Sequence, residues 1–309
     1  LREEKLDNLT HSLVGALLGQ AGLKRKTGLA MPALVIGANL PDVDAACFFW
    51  LEGQEHLGFR RGITHGPPAM VLLPLILAGL LWGYDRWQTK RGKRPEGRNP
   101  VNFKWLYLLS LIGCLTHPAL DWLNVYGIRL LEPFSSQWFY GDTLFIIDVW
   151  LWALMGFATW FSLRREGRGG DFEAPSRWAL GIAVVYIAVN SIISSLVAAM
   201  ASGQPAIASP MPLASWQREV IEPYRDGKWL IDGNSVGECA LEHAVKSAKG
   251  NSQAEAFLFW SRAPFAERAP DGSVLLRDAR FYDPRARDRF TVALPDVECV
   301  PLDAEPMDE

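Results

Sequence analysis

Long apolar runs separated by short polar breaks fill residues 1–200, and none of comparable length follows. Three runs, Pro67–Tyr84, Leu144–Leu163 and Trp178–Met200, have the length and apolarity of membrane spans, because a helix needs about 20 apolar residues to cross the hydrocarbon layer. Trp105–Asn124 is a fourth, with its polar residues gathered at the far end. Leu9–Leu23 and Gly28–Leu40 are shorter. At about 1.5 Å per residue each makes roughly 20 Å of helix. That length predicts a helical hairpin dipping into the bilayer, or spans where the bilayer thins, with ordinary buried helices as the alternative.

After Met200 the pattern changes. Ser202–Pro212 is rich in Gly, Pro, Ala and Ser and reads as a linker. Asp226-Gly227 and Asp271-Gly272 are hairpin-turn signals. Lys228–Ile231, Ala256–Ser261, Ser273–Leu276, Arg280–Tyr282 and Phe290–Leu294 read as short strands, and Leu241–Lys249 as one helix. The predicted fold is an all-α polytopic membrane bundle, four long spans plus an N-terminal pair of short helices, with a small C-terminal α+β extramembrane domain. The expected boundaries are 1–201 for the bundle, 202–214 for the linker and 215–309 for the domain, with a disordered acidic end at Asp303–Glu309.

A mean hydropathy of +0.05 averages over these two unlike halves. The net charge of −3 argues against a nucleic-acid partner. The opening LREEKLDN carries acids where a secretory signal has a basic segment. Four cysteines fit no zinc-finger spacing and leave their pairing open. Charge also orients the bundle. Asp85–Lys104 holds seven Lys and Arg and Arg164–Arg177 holds four, whereas Val125–Thr143 has Arg129 alone. The positive-inside rule then places the first two loops, and the Lys24-Arg25-Lys26 tip, in the cytoplasm and the third outside.

In this topology the ionisable residues at span ends fall on the outer side. His117 and Asp121 are one helical turn apart, so they share a face, and such groups beside a span usually point into a bundle or cavity. Pro118 predicts a kink at His117 or a new helix starting there. Asp7 and His11 repeat the spacing. Asn39-Leu40-Pro41-Asp42-Val43-Asp44 presents two carboxylates to one or two cations. Arg60-Arg61-Gly62-Ile63-Thr64-His65-Gly66 sets two guanidinium groups beside a histidine, suited to an anionic substrate. Asp142 and Asp148 flank the Leu144–Leu163 run. An unpartnered Asp148 inside it would cost about 2.5–3.5 kcal/mol, so a metal or histidine partner is expected. The candidate metal ligands are His11, His65, His117, Asp121, Asp42, Asp44 and Asp148. Histidines favour zinc, and a carboxylate-rich version would suit manganese or magnesium.

These residues resemble a known family, the bacterial membrane-bound metal-dependent hydrolases of the inner membrane associated with LexA regulation. The resemblance runs through His11, Leu40-Pro41-Asp42-Val43-Asp44, Arg61-Gly62-Ile63-Thr64-His65 and His117-Pro118-Ala119-Leu120-Asp121, over about residues 7–165. Arg60 stands where the family shows His, Gly66 where it shows Ser, and Ala45 where a histidine often follows. The resemblance implies a multi-pass inner-membrane hydrolase acting through metal-activated water. Asp42 or Asp44 would then serve as general base and Arg60 and Arg61 would hold the substrate, a lipid or other phosphoester. The alternatives are a metal or proton transporter and a non-catalytic metal-binding membrane protein. The site and the C-terminal domain are expected on the non-cytoplasmic side.

Overall fold

A computed structural model describes residues 4–283 and 287–302. The acidic end Asp303–Glu309 and the side chain of Asp7 lie outside the described residues. The first four helices are α1 (Glu4–Gln20), α2 (Ala30–Gly37), α3 (His56–Phe59) and α4 (Pro67–Lys90). After them come α5 (Phe103–Trp122), α6 (Val149–Glu166), α7 (Glu173–Met200), α8 (Leu241–Ser247) and α9 (Ser252–Trp260). The strands are β1 (Ile207–Pro210), β2 (Arg218–Pro223), β3 (Trp229–Ile231), β4 (Asn234–Val236), β5 (Pro264–Arg268), β6 (Ser273–Asp278) and β7 (Val292–Glu298). The chain forms two compact units. One draws on Leu1–Asp44, Arg61–Ser191 and Pro212–Ser215, the other on Ala45–Arg60, Ile192–Met211 and Trp216–Glu309.

The first unit is helical. α2 and α4 pack on α5, and α1 packs on α2 and α6. Leu34, Leu77, Leu81, Leu106 and Leu109 form one apolar cluster. Leu17, Leu144, Leu151, Met155 and Ala183 form another. The outward faces are apolar too: Leu72, Ile76 and Leu80 of α4 and Val184 and Val185 of α7 are exposed. A helix that is apolar all round fits a lipid surround. Among the described residues three helices, α4, α5 and α7, are long and apolar enough to cross a membrane. A fourth span exists if α2 is joined to the 3-10 segment Leu40–Phe49, from which it is bent by 51°.

The expected span at Leu144–Leu163 does not have that form. Helix α6 starts only at Val149, because the Asp148 carboxylate accepts the Trp150 and Leu151 amides as an N-cap, and it ends on Arg164-Arg165-Glu166. Pro118 gives the opposite correction, since α5 is one helix through it. The Thr116 hydroxyl donates to the Gly113 carbonyl at 2.6 Å, next to the turn that the proline leaves short of a donor.

In the second unit β1–β4 form an antiparallel meander and β5–β7 a second antiparallel sheet. The register sets Ile207 opposite Ile221 and Ile221 opposite Ile231, a row buried with Phe265. A disulfide joins Cys239 to Cys299. Ala256–Ser261, expected as a strand, belongs to α9, whose start Asn251 caps by accepting the Gln253 and Ala254 amides. Arg280–Tyr282, also expected as a strand, is a 3-10 turn over Ala279–Phe281, because the Asp278 side chain takes the Arg280 amide. Strand β1 lies inside the stretch read as a linker.

Candidate metal centre

Four elements of the first unit bring the polar motifs together. α1 carries His11, the 3-10 segment carries Asp42 and Asp44, the turn Ile63–His65 carries His65, and α5 carries His117 and Asp121. Close backbone packing makes this possible. A Cβ on Gly113 would stand 2.5 Å from the Leu34 carbonyl, so α2 and α5 touch through glycine. That contact delivers the Ala38 carbonyl to His117 Nδ1 at 2.7 Å.

His11, His65, His117 and Asp121 are buried. His117 Nε2 lies 3.4 Å from Asp121 Oδ2 and 3.6 Å from Asp42 Oδ1. His65 Nε2 is 3.5 Å from Asp121 Oδ2, and His11 Nε2 is 3.6 Å from Asp121 Oδ1. The His11 and His117 rings stack with centroids 3.8 Å apart. Two overlapping sets, His11–His117–Asp121 and Asp42–His65–His117, each bring their ligand atoms within 4.8 Å of one another.

The hydrogen bonds around the rings fix their tautomers. A carbonyl can only accept, so His117 Nδ1 carries a proton and Nε2 is the nitrogen that faces the Asp121 and Asp42 carboxylates. Thr64 Oγ1 lies 3.1 Å from Asp44 Oδ2 and 3.0 Å from His65 Nδ1. A carboxylate accepts the hydroxyl's single proton, so the hydroxyl accepts from His65 Nδ1–H, and in the neutral ring His65 Nε2 then keeps its lone pair. Burial pushes the His65 imidazole below its ordinary pKa, which favours the same neutral form. His65 Nε2, His117 Nε2 and Asp121 Oδ2 make no hydrogen bond among the described residues. Buried polar atoms rarely remain so unless something else engages them.

Arg61 sits inside this cluster and is buried. Its guanidinium donates to Asp121 Oδ1 at 3.0 Å and to Asn124 Oδ1 at 3.1 Å, and it stacks over the Tyr126 ring. Its backbone N–H donates to Asp44 Oδ2 at 2.8 Å. It is the charge that holds Asp121, within the motif expected to anchor a substrate. Arg60 belongs to the other unit, with its guanidinium 5.6 Å from the Phe48 ring. Asp148 is not in either ligand set; besides capping α6 it accepts from Tyr186 OH at 2.8 Å. It does line, with His11 and Asp121, a cavity of about 20 Å³, room for about one water. Asn124 and Thr64 also hold the site together, through Arg61 and through Asp44 and His65. Both stand within quoted motifs, Thr64 directly before His65 and Asn124 three residues after Asp121.

The sequence profile of the YdjM inner membrane protein family matches residues 6–199, which include every residue of this cluster. The uncharacterized protein YfhP of Bacillus subtilis (strain 168) is 27% identical over 141 residues, covering 43% of this chain and 39% of that protein. No solved structure is significantly similar. With well over half its length matched, and several helices apolar enough to cross a bilayer, the chain belongs to the YdjM inner membrane protein family.

Proposed function

We propose that the buried cluster holds a single divalent metal ion and that the protein is a membrane-bound hydrolase. The observation that carries the reading is the spacing of the Nε2 and carboxylate atoms. Two ligands each about 2.0–2.1 Å from a tetrahedral zinc ion lie about 3.3–3.4 Å apart. The distances here are 3.4–3.6 Å, too long for good hydrogen bonds and close to that edge length. His117 would hold the ion with ligands drawn from His11, His65, Asp121 and Asp42, not all five at once, which leaves a position for water. Both ligand sets use His117, whose Nδ1 is taken by Ala38, so one Nε2 serves one ion. Three imidazoles favour zinc over magnesium or manganese.

A bound divalent ion would supply Lewis acidity and bring the pKa of water towards neutrality. The chain's own groups do the rest. Ala38 and Thr64 orient two imidazoles, Asp44 backs Thr64, and Arg61 fixes Asp121. The cavity beside His11 and Asp121 admits one water, as hydrolysis requires. The membrane setting supports a lipid as the substrate, a phosphoester or another ester, and the Arg61 charge is already engaged by Asp121.

The same closure favours a second reading, a metal that stabilises the bundle without turnover. Purified full-length protein loaded with zinc or manganese, assayed against phosphomonoesters, phosphodiesters and carboxylic esters, separates the two. Turnover abolished by His117→Ala supports the hydrolase. A stoichiometric ion with no product from any substrate leaves the structural site. Metal flux in proteoliposomes, lost in the same variant, would instead make it a transporter.

The Cys239–Cys299 disulfide supports a non-cytoplasmic C-terminal domain, because such bonds persist in oxidising compartments, and the loop charges support the same topology. A periplasm-active reporter fused after residue 309 should be active; a cytoplasm-only signal would reverse the orientation.

A further inference from the structure

The opposite end of the helical unit carries a second polar feature that the metal centre does not use. A cavity of about 440 Å³ opens where the segment after α1, the start of α2, the loop before α5 and the segment between α6 and α7 meet. The histidine cluster is at the C-terminal end of α5, whereas this cavity is beside its N-terminal end. Since α5 has 20 residues, the two are separated by on the order of 25 Å along the helix.

Its wall is amphipathic. Lys24, Arg25 and Arg98 supply three cationic groups to the wall and Glu166 one carboxylate, with Glu173 and Asp85 paired to Arg25 and Arg98 from outside it. Phe172 gathers two of them: Lys24 Nζ stands 4.1 Å and the Arg25 guanidinium 4.8 Å from its ring centre. Lys24 is ion-paired with Glu166, and Arg98 donates to Asp85 and Gln88 at 3.1 and 2.6 Å. Arg25 bonds Glu173 at 2.7 Å but keeps 64% of its side chain exposed, so it can turn towards an incoming anion. The start of α2 adds to the positive potential, since no side chain caps it and Gly28 to Met31 line the cavity. Leu29, Met31 and Pro32 supply apolar surface beside the charges.

We infer that this pocket binds a phosphate-bearing anion, and that the headgroup of an anionic membrane lipid is the source that fits it. A free phosphate would use the cations only. A lipid also meets the apolar wall, and basic pockets between helices at the cytoplasmic face are where anionic headgroups gather. The loop charges put this end at that face.

The test uses the full-length protein, delipidated in detergent and then equilibrated with phosphatidylglycerol or with phosphatidylcholine. Retained lipid is counted by native mass spectrometry, with and without inorganic phosphate as competitor. Phosphatidylglycerol should be retained and phosphatidylcholine lost, with retention falling about fivefold for each charge removed in Arg25→Gln and Lys24→Gln. Arg25→Gln is the safer variant because its side chain is mostly exposed, and a melting curve checks both for folding. Retention that resists inorganic phosphate assigns the lipid; displacement by it assigns free phosphate to the same site. Equal retention of both lipids with no effect of phosphate, or a folded Arg25→Gln protein that binds as well as the parent, overturns the inference.

Discussion

The two units each bury a cluster of charged and polar groups, and the clusters close differently. In the sheet unit Asp278 and Arg280 meet at 2.7–2.8 Å through both carboxylate oxygens, with the Ser261 hydroxyl on Oδ2 at 2.5 Å and Trp260 under the guanidinium. Burial raises the Asp278 pKa, but Arg280 outweighs it and holds the carboxyl below its ordinary value. This pair completes itself. In the helical unit the distances from three imidazoles to two carboxylates are 3.4–3.6 Å, and among the described residues His65 Nε2, His117 Nε2 and Asp121 Oδ2 make no hydrogen bond. The difference of under one ångström separates a finished salt bridge from the wider spacing that the proposed metal site requires.

Mutations sharpen the contrast. The largest expected loss is from Asp278→Asn, which leaves the Arg280 charge buried without its carboxylate. Breaking a buried pair in this way costs about 3–5 kcal/mol, measured as unfolding of the sheet unit, with metal content unchanged. Thr64→Val should act the other way round. It removes the hydroxyl linking Asp44 to His65, so metal affinity should fall about 10- to 100-fold while the sheet unit melts as before. If Thr64→Val leaves affinity intact, the orienting role assigned to that hydroxyl is wrong.

A third effect is a pH slope confined to the sheet unit. Burial, then Asp232 and Asp283, pushes the Glu219 carboxyl up from 4.5 to about 7. Between those values the folded state keeps a proton that the unfolded state has lost, so stability falls as pH rises and levels off above about pH 7. Glu219→Gln should flatten that slope. A stability profile of the variant that parallels the parent's would show that Glu219 does not titrate there.

Much of the helical unit was legible because spans are written as apolar runs, and α4, α5 and α7 lie where those runs lie. The site was legible in residue types, since ionisable groups are scarce at span ends and His11, His65, His117 and Asp121 stand out. Their partners were not. The Ala38 carbonyl reaches His117 through a tertiary glycine contact, and no local pattern announces it. Asp148 has the same kind of partners: an N-cap and the Tyr186 hydroxyl engage it, and the apolar run around it announces neither. The sheet unit was least legible, because strands of three to seven residues carry too few alternations to outweigh a capping Asn or Asp.

The central claim, one ion held by the three histidines, is tested most directly by elemental analysis of the purified protein beside His11→Ala, His65→Ala and His117→Ala. The account predicts about one zinc per chain in the parent and little in the three variants, each still carrying the native melting transition of its sheet unit. A parent without metal, or metal content unchanged in all three variants, would contradict it.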